Sequence, residues 1–278
     1  MPAKIKCTIL GSGDTLGTPI AGCKCVACLD PKSKRYRFGL LLEIDGLKIL
    51  IDPNPDLKWE CLNSNFELKD IDHIFVTHHH SDHINGLGEF FYRRPTPQVL
   101  WYGDNPLNHK LMNYWKYLEA EQVLEFRTFN NFEDIKLNEN VTVLPIELNH
   151  GFPASGFIFK YGNAKIAIVT DTNEKLIRRT IESLKDVDVL FADTFSENKE
   201  QIEKVYIDCG IPTPDLDTEW FHMTINDVKD LKIKTGAKKV YTIHMSRHMD
   251  TQDNLVKKYQ TDDFIIGYDN LSFNLIPQ

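Results

Sequence analysis

His78, His80, Asp82 and His83 put three imidazoles and a carboxylate into six residues, directly after the apolar run of residues 71–76. Imidazole is the commonest protein ligand for zinc-like ions, and carboxylate is its usual oxygen partner. A His-x-His-x-Asp-His pattern at a strand's end aims such ligands at two neighbouring ions, which points to two-metal hydrolysis. A histidine-rich tract can equally be a solvated loop. Here an apolar strand precedes the cluster and helical apolar spacing follows over residues 84–91, so the ligands stand on rigid supports. His79, between two ligands, is read as pointing away from the ions.

Cys23, Cys25 and Cys28 form a second group of soft ligands. They are too close together for mutual disulfides without strain, and well placed for a tetrahedral zinc. Three thiolates leave one corner open, which a histidine from elsewhere closes in a Cys3His set. A redox cluster or a chance grouping is the plainer alternative. Cys7, Cys61 and Cys209 read as ordinary reduced thiols.

Strand patterns must carry these groups. Residues 4–10, 38–44 and 47–51 read as strands, the last two joined by Asp45-Gly46, a hairpin signal. Further strands are expected at 71–77, 98–102, 141–147, 156–161, 165–169, 187–192, 239–243 and 271–275, and helices at 105–120, 173–184 and 224–235. Residues 130–134 read as a surface turn, and no internal repeat is visible. The order suits two sheets with outer helices. His150, Asp171 and His244 each follow an apolar strand. Alone, His150 reads as a surface histidine and Asp171 as a helix cap; the His78–His83 cluster makes both candidate ligands, because strand ends gather side chains rigidly.

The 278 residues suit one domain, 1–278, with a metal loop at 22–30. With 32 basic and 40 acidic side chains the formal charge is -8, which disfavours a partner such as long nucleic acid held on a basic face. The start of the chain lacks an apolar signal core and no run is long enough to span a membrane, so a cytoplasmic protein with no membrane partner is expected.

Together, His78-x-His80-x-Asp82-His83, His150, Asp171 and His244 resemble the metallo-β-lactamase-fold hydrolases over nearly the whole chain. The resemblance implies an α/β (α+β) fold, a four-layer αββα sandwich with a dinuclear site at one edge of two sheets. It implies that His78, His80 and His150 hold one divalent ion, that Asp82, His83 and His244 hold the other, and that Asp171 bridges them. A hydroxide between the ions would be the nucleophile, and zinc, manganese or iron would suit the ligands. Asp82 is read as catalytic as well as ligating.

The segment Gly11-Ser12-Gly13-Asp14-Thr15-Leu16-Gly17-Thr18-Pro19, followed by Cys23-x-Cys25-x-x-Cys28, is similar to the PhnP-like phosphoribosyl cyclic phosphate phosphodiesterase branch. That similarity implies a homodimer and a structural zinc whose fourth ligand is a histidine just beyond the last catalytic one. It selects His248, at a spacing from His244 one residue longer than the branch's. The glycines are neither a Walker A loop nor a full dinucleotide fingerprint, so close packing beside the metals is an equal reading.

His222 precedes Thr224, which can cap the next helix with Asp227 in its first turn. Its functional reading is general acid, donating a proton to a leaving alkoxide; packing beside the cap is the alternative. Asp193 orients His222, lines the pocket, or caps its strand. Lys32, Lys34, Arg35 and Arg37 either contact a second phosphate or form a solvated loop. The expected activity is metal-dependent hydrolysis of a small, cyclic phosphate ester such as a phosphoribosyl cyclic phosphate. An RNA-processing nuclease or carboxylic-ester or lactone hydrolase of the same fold, and a non-catalytic zinc-binding or cofactor-biosynthesis relative, are the alternatives.

Overall fold

The computed structural model describes residues 5–210, 212, 213, 215 and 220–277, without the side chains of residues 205, 208 and 209. The readings of residues 1–4 and of the Cys209 thiol lie outside the described residues. The first sheet holds β1 (Ile5–Gly11), β2 (Gly39–Ile44), β3 (Leu47–Ile51), β4 (His73–Phe75), β5 (Gln98–Gly103) and β6 (Leu124–Phe129). The second holds β7 (Ile135–Lys136), β8 (Val141–Asn149), β9 (Pro153–Tyr161), β10 (Ala164–Val169), β11 (Val189–Asp193), β12 (Lys239–Ile243) and β13 (Phe264–Ile265). The last strand, β14 (Ser272–Leu275), returns to pair antiparallel with β1.

The two sheets repeat one plan, which no sequence repeat reveals. In spatial order the first runs β14-β1-β2-β3-β4-β5-β6 and the second β7-β8-β9-β10-β11-β12-β13. Each has three antiparallel pairings followed by three parallel ones. The carboxyl ends of β3, β4 and β5 therefore lie along one edge of their sheet, and those of β10, β11 and β12 along one edge of theirs. Because β8 and β10 are both antiparallel to β9, the end of β8 joins the same edge.

Apolar alternation explains the layering. Ile49 and Ile51 of β3 share a core with Phe75, Phe157, Ile166, Ile168 and Phe191, which places that core between the sheets. Leu50, one residue out of phase, packs instead with Leu57, Phe66, Trp115 and Leu118 on the outer face. Ala167 and Val169 of β10 likewise face outward to Leu184, Val228, Leu231 and Leu255. Strands buried on both faces read as continuous apolar runs. The result is a mixed α/β sandwich of four layers. Truncating a residue such as Ile168 to alanine should cost about 2–5 kcal/mol.

The hairpin at Asp45-Gly46 has φ of 51° and 80°, the left-handed pair that a two-residue turn requires. The helix Ile225–Thr235 begins with a capping box between Thr224 and Asp227 and ends at Gly236, φ 70°. Elsewhere the sequence expectations need correction. The helix expected over 105–120 breaks into Pro106–Met112 and Tyr117–Ala120 around a 3-10 turn that turns Trp115 into the core. The helix expected over 173–184 shrinks to Arg178–Ser183, because Asn173 bonds Asn149, Lys175 and Trp220 instead of starting a helix. Among the described residues no helix is long and apolar enough to cross a membrane.

Candidate metal centre and active site

The two sheets are stitched together at the edge that carries the polar residues. Ser155 N–H of β9 donates to the Thr77 carbonyl at 2.9 Å, and Met245 N–H donates to the Ser12 carbonyl at 2.9 Å. The segment after β4 thus meets β8, β10 and β12. Ligand atoms of His78, His80, His150 and Asp171 lie within 4.8 Å of one another, and so do those of Asp82, His83, Asp171 and His244. The structure therefore brings all seven candidate ligands together in two groups that share Asp171. His79 belongs to neither and packs against Phe152, with ring centroids 5.7 Å apart.

Asp171 divides its oxygens between the groups. Its Oδ1 is 3.3 Å from His83 Nε2 and 3.2 Å from His244 Nε2, while its Oδ2 is 3.5 Å from His150 Nε2 and 3.7 Å from His78 Nε2. The Nε2 atoms of His78, His83 and His244 are buried and make no well-aligned hydrogen bond among the described residues. Buried, convergent nitrogen lone pairs around a shared carboxylate are costly without a cation. The donor set fits two divalent ions. Asp171 and His244 have φ of 52° and 56°, a left-handed conformation that a histidine seldom adopts; it turns both side chains off their strand ends toward the shared site.

Electrostatics follow from the crowding. Burial drives the His78 imidazole well below its ordinary range and takes His150 down to about 3. Burial also opposes charge on His83 and His244, but Asp171 and Asp82 outweigh it, leaving His83 well above its usual range and His244 at about 9. Burial opposes ionisation of Asp82 and Asp171 too; the neighbouring histidines reverse it and hold both carboxyls below the usual range.

A second ring of contacts orients this cluster, and sequence reasoning missed its main member. Asp52, fully buried with φ 55°, accepts from Thr77 N–H at 2.8 Å and Thr77 Oγ1–H at 2.7 Å, and lies 2.7 Å from His83 Nδ1. It fixes which His83 nitrogen faces the site. The signal was present: Asp52 ends the apolar run of β3 as Asp171 follows β10. Asp193, the last residue of β11, accepts from Thr172 N–H at 3.0 Å and sits 2.7 Å from His222 Nδ1. The His222 ring stacks on His244 with centroids 5.1 Å apart and planes 9° apart.

A cavity of about 400 Å³ opens on this edge, lined by Asp14, Leu16, His80, His150, Phe152, Phe195, Trp220, Phe221 and His222 among others. Asp14 was also missed; buried, it accepts from the Leu16 and Gly17 amides, and burial raises its carboxyl to about 6. None of the basic residues of 32–37 lines the cavity. Lys32 pairs with Asp253, Lys34 sits over Tyr36, Arg37 pairs with Asp56, and buried Arg35 approaches Gln252. Asn130 and Asn131 line a second, polar cavity of about 530 Å³ that shares His150 and Phe152 with the first.

The sulfurs of Cys23, Cys25 and Cys28 lie within 4.8 Å of one another, each residue partly exposed. His248 is not part of that group. Its neighbour Arg247 reaches it instead, donating from Nη1 to Cys23 Sγ at 2.8 Å. Burial raises the Cys23 thiol, but hydrogen bonds from Cys25, Cys28 and Arg247 bring it to about 7; burial pushes Cys28 up to about 12.

Comparison with known proteins agrees with the geometry. The chain is 26% identical to an octanoyltransferase of Porphyromonas gingivalis over 253 residues, which are 88% of this chain and 46% of that one, so it spans about half the relative's length. A ribonuclease Z of Clostridium beijerinckii is 22% identical over 88% of this chain and 95% of its own. A cAMP/cGMP-dependent phosphodiesterase of Dictyostelium discoideum is 21% identical over 80% of this chain and 20% of its own. Among solved structures, a diphosphatase of the PhnP family superposes with a TM-score of 0.77 at 23% identity, covering 99% of this chain and 98% of its own. Zinc-bound PqqB from Methylobacterium extorquens gives 0.80 at 16% identity, covering 97% and 100%. Residues 48–245 match the β-lactamase superfamily domain. The chain belongs to that superfamily, and its two His/Asp clusters are groups that could hold metal ions.

Proposed function

We propose that this chain is a dinuclear, metal-dependent phosphodiesterase acting on a small, cyclic phosphate ester. The observation that carries the reading is the Asp193–His222 pair: a proton donor lining the cavity, stacked on one of the candidate ligands. A phosphodiester releases a strongly basic alkoxide that this pair can protonate, whereas a thioester's thiolate departs without one.

In this reading His78, His80 and His150 hold one ion, Asp82, His83 and His244 hold the other, and Asp171 lies between. Two divalent cations, zinc or manganese, would supply an activated water and neutralise charge gathering on the phosphoryl oxygens. The chain's own residues do the rest. Asp52 fixes His83, and Asp193 faces both His222 Nδ1 at 2.7 Å and His244 Nδ1 at 3.9 Å. By accepting the Nδ1–H of His222, Asp193 fixes the ring's orientation and leaves Nε2 as the atom that would deliver a proton to the departing alkoxide. Cys23, Cys25 and Cys28 are proposed to hold a structural zinc that would draw in His248, outside their group in this structure, as fourth ligand in place of the Arg247 contact, tying the amino-terminal loop to the segment after β12.

A second reading, hydrolysis of an acyl ester or thioester, draws support from the apolar cavity and from the octanoyltransferase among the relatives. One assay separates the two. Metal-stripped protein should leave bis(p-nitrophenyl) phosphate intact and recover its hydrolysis on addition of zinc or manganese. Hydrolysis indifferent to stripping, or a preference for octanoyl thioesters over every diester, would contradict the proposal.

A further inference from the structure

The cavity beside the His/Asp clusters has walls of one chemical kind. Phe152, Phe195, Tyr206, Trp220 and Phe221 line it together with Leu16, and among the described residues no lysine or arginine does. Among the described residues its charged lining outside the histidines is Asp14, a carboxylate that repels a second phosphate. The basic side chains of 32–37 are turned to other partners. A substrate bearing an extra terminal phosphate therefore finds no cation here to receive it.

Two of the aromatic residues stand at the mouth. Phe152 is 53% exposed, and its ring lies 5.7 Å from that of His80; Phe221 is partly exposed, 6.2 Å from His150. The backbone is shaped around them. Gly151 has φ 75°, and a Cβ there would meet Phe221 ring carbons at 2.8 Å, so the loop presenting His150 and Phe152 closes on Phe221 only as glycine. Deeper in the wall, Phe195 and Trp220 are already engaged with His222, at 4.9 and 5.2 Å. They are buried beside the proposed acid, whereas Phe152 and Phe221 keep exposed ring surface that can face the substrate.

Resting on the diester reading above, we infer that the substrate is a nucleoside phosphate ester whose base stacks on Phe152 and Phe221, rather than a phosphorylated sugar. A flat, uncharged ring matches aromatic walls through its face, and such stacking tolerates any base. Adenosine and uridine esters should therefore serve within a few-fold of each other.

The test compares adenosine and uridine 2′,3′-cyclic phosphates with ribose 1,2-cyclic phosphate, with and without a 5-phosphate, on the metal-loaded protein. The nucleosides should be favoured in kcat/KM by about tenfold or more, and Phe152→Ala or Phe221→Ala should cut that preference roughly tenfold, through KM. Phe152 is half exposed, so its variant tests the idea even where loss of Phe221 disturbs folding. Equal or better use of the 5-phosphorylated sugar would overturn the inference, as would variants that slow both substrates alike. Calorimetric binding of AMP, which needs no turnover, separates the two claims. AMP binding weakened by Phe152→Ala, without hydrolysis of any diester, would sink the activity and keep the base site. Diester hydrolysis with no AMP binding would sink the base site alone.

Discussion

Seven side chains of the His/Asp centre stand near strand ends of both sheets, all but His80 buried, with Asp52 and Asp193 fixing rings from behind. The three thiols stand on one short segment, each partly exposed, with Arg247 as their contact from the far end of the chain. The polypeptide supplies the geometry of the first centre. At the second it supplies little more than proximity, so a bound ion there would organise the loop instead of being received by it. Rigid burial suits chemistry, where misplacing a ligand costs rate; a loosely held thiol set suits a staple, where binding energy becomes folding energy.

The sharpest way to break this contrast is to remove the shared carboxylate. Asp171→Ala should reduce diester hydrolysis to roughly a thousandth or less while the far-UV circular dichroism spectrum stays native, since several kcal/mol of charge stabilisation disappear with the ions. Substantial activity in the metal-saturated variant would show that the centre is not the catalyst. Behind it, Asp193→Asn should lower kcat by about 10–100-fold with KM little changed, because it misorients His222 without removing it. A kcat at the level of the unmodified protein would reduce Asp193 to a strand-end cap.

The thiol cluster should answer in a different currency. Cys25→Ser should lower the thermal midpoint by several degrees and remove one zinc per chain, with kcat changed by less than about threefold. An unchanged zinc content would mean that the cysteines are not ligands. The smallest effect is in pH. The metal-free His244 imidazole keeps its proton up to about pH 9, held by Asp171, Asp82 and Asp193 against burial. Cations must displace that proton and the one that Asp171 and Asp82 hold on His83, so affinity at the His/Asp centre should climb with pH, by at most about tenfold per unit for each proton released. Titration calorimetry in buffers of different ionisation enthalpy should count the released protons.

The same contrast explains what could be read in advance. The His78–His83 segment is legible because its ligands are adjacent in sequence, and His150, Asp171 and His244 because each follows an apolar strand. Asp52 obeys the same rule after β3, but its partners Thr77 and His83 are 25 and 31 residues away, and nothing local marks that pairing. Helices 57–64, 199–209 and 252–259 and strand 124–129 went unread, as did the shared plan of the sheets. Helix 57–64 gives little periodic signal, burying only Leu57 and Glu60 among its residues. The aromatic lining of the cavity was invisible because Phe152, Phe195 and Trp220 come from three separate loops and converge only when the sheets pack.

The central claim is that His222 protonates the leaving alkoxide beside a two-ion centre. It is tested most directly by the leaving-group dependence of His222→Ala. That variant should lose about 10²–10⁴-fold in kcat on an alkyl or ribose ester, whose alkoxide needs a proton, and only a little on a p-nitrophenyl ester, whose phenolate does not. An equal loss on both esters would contradict it.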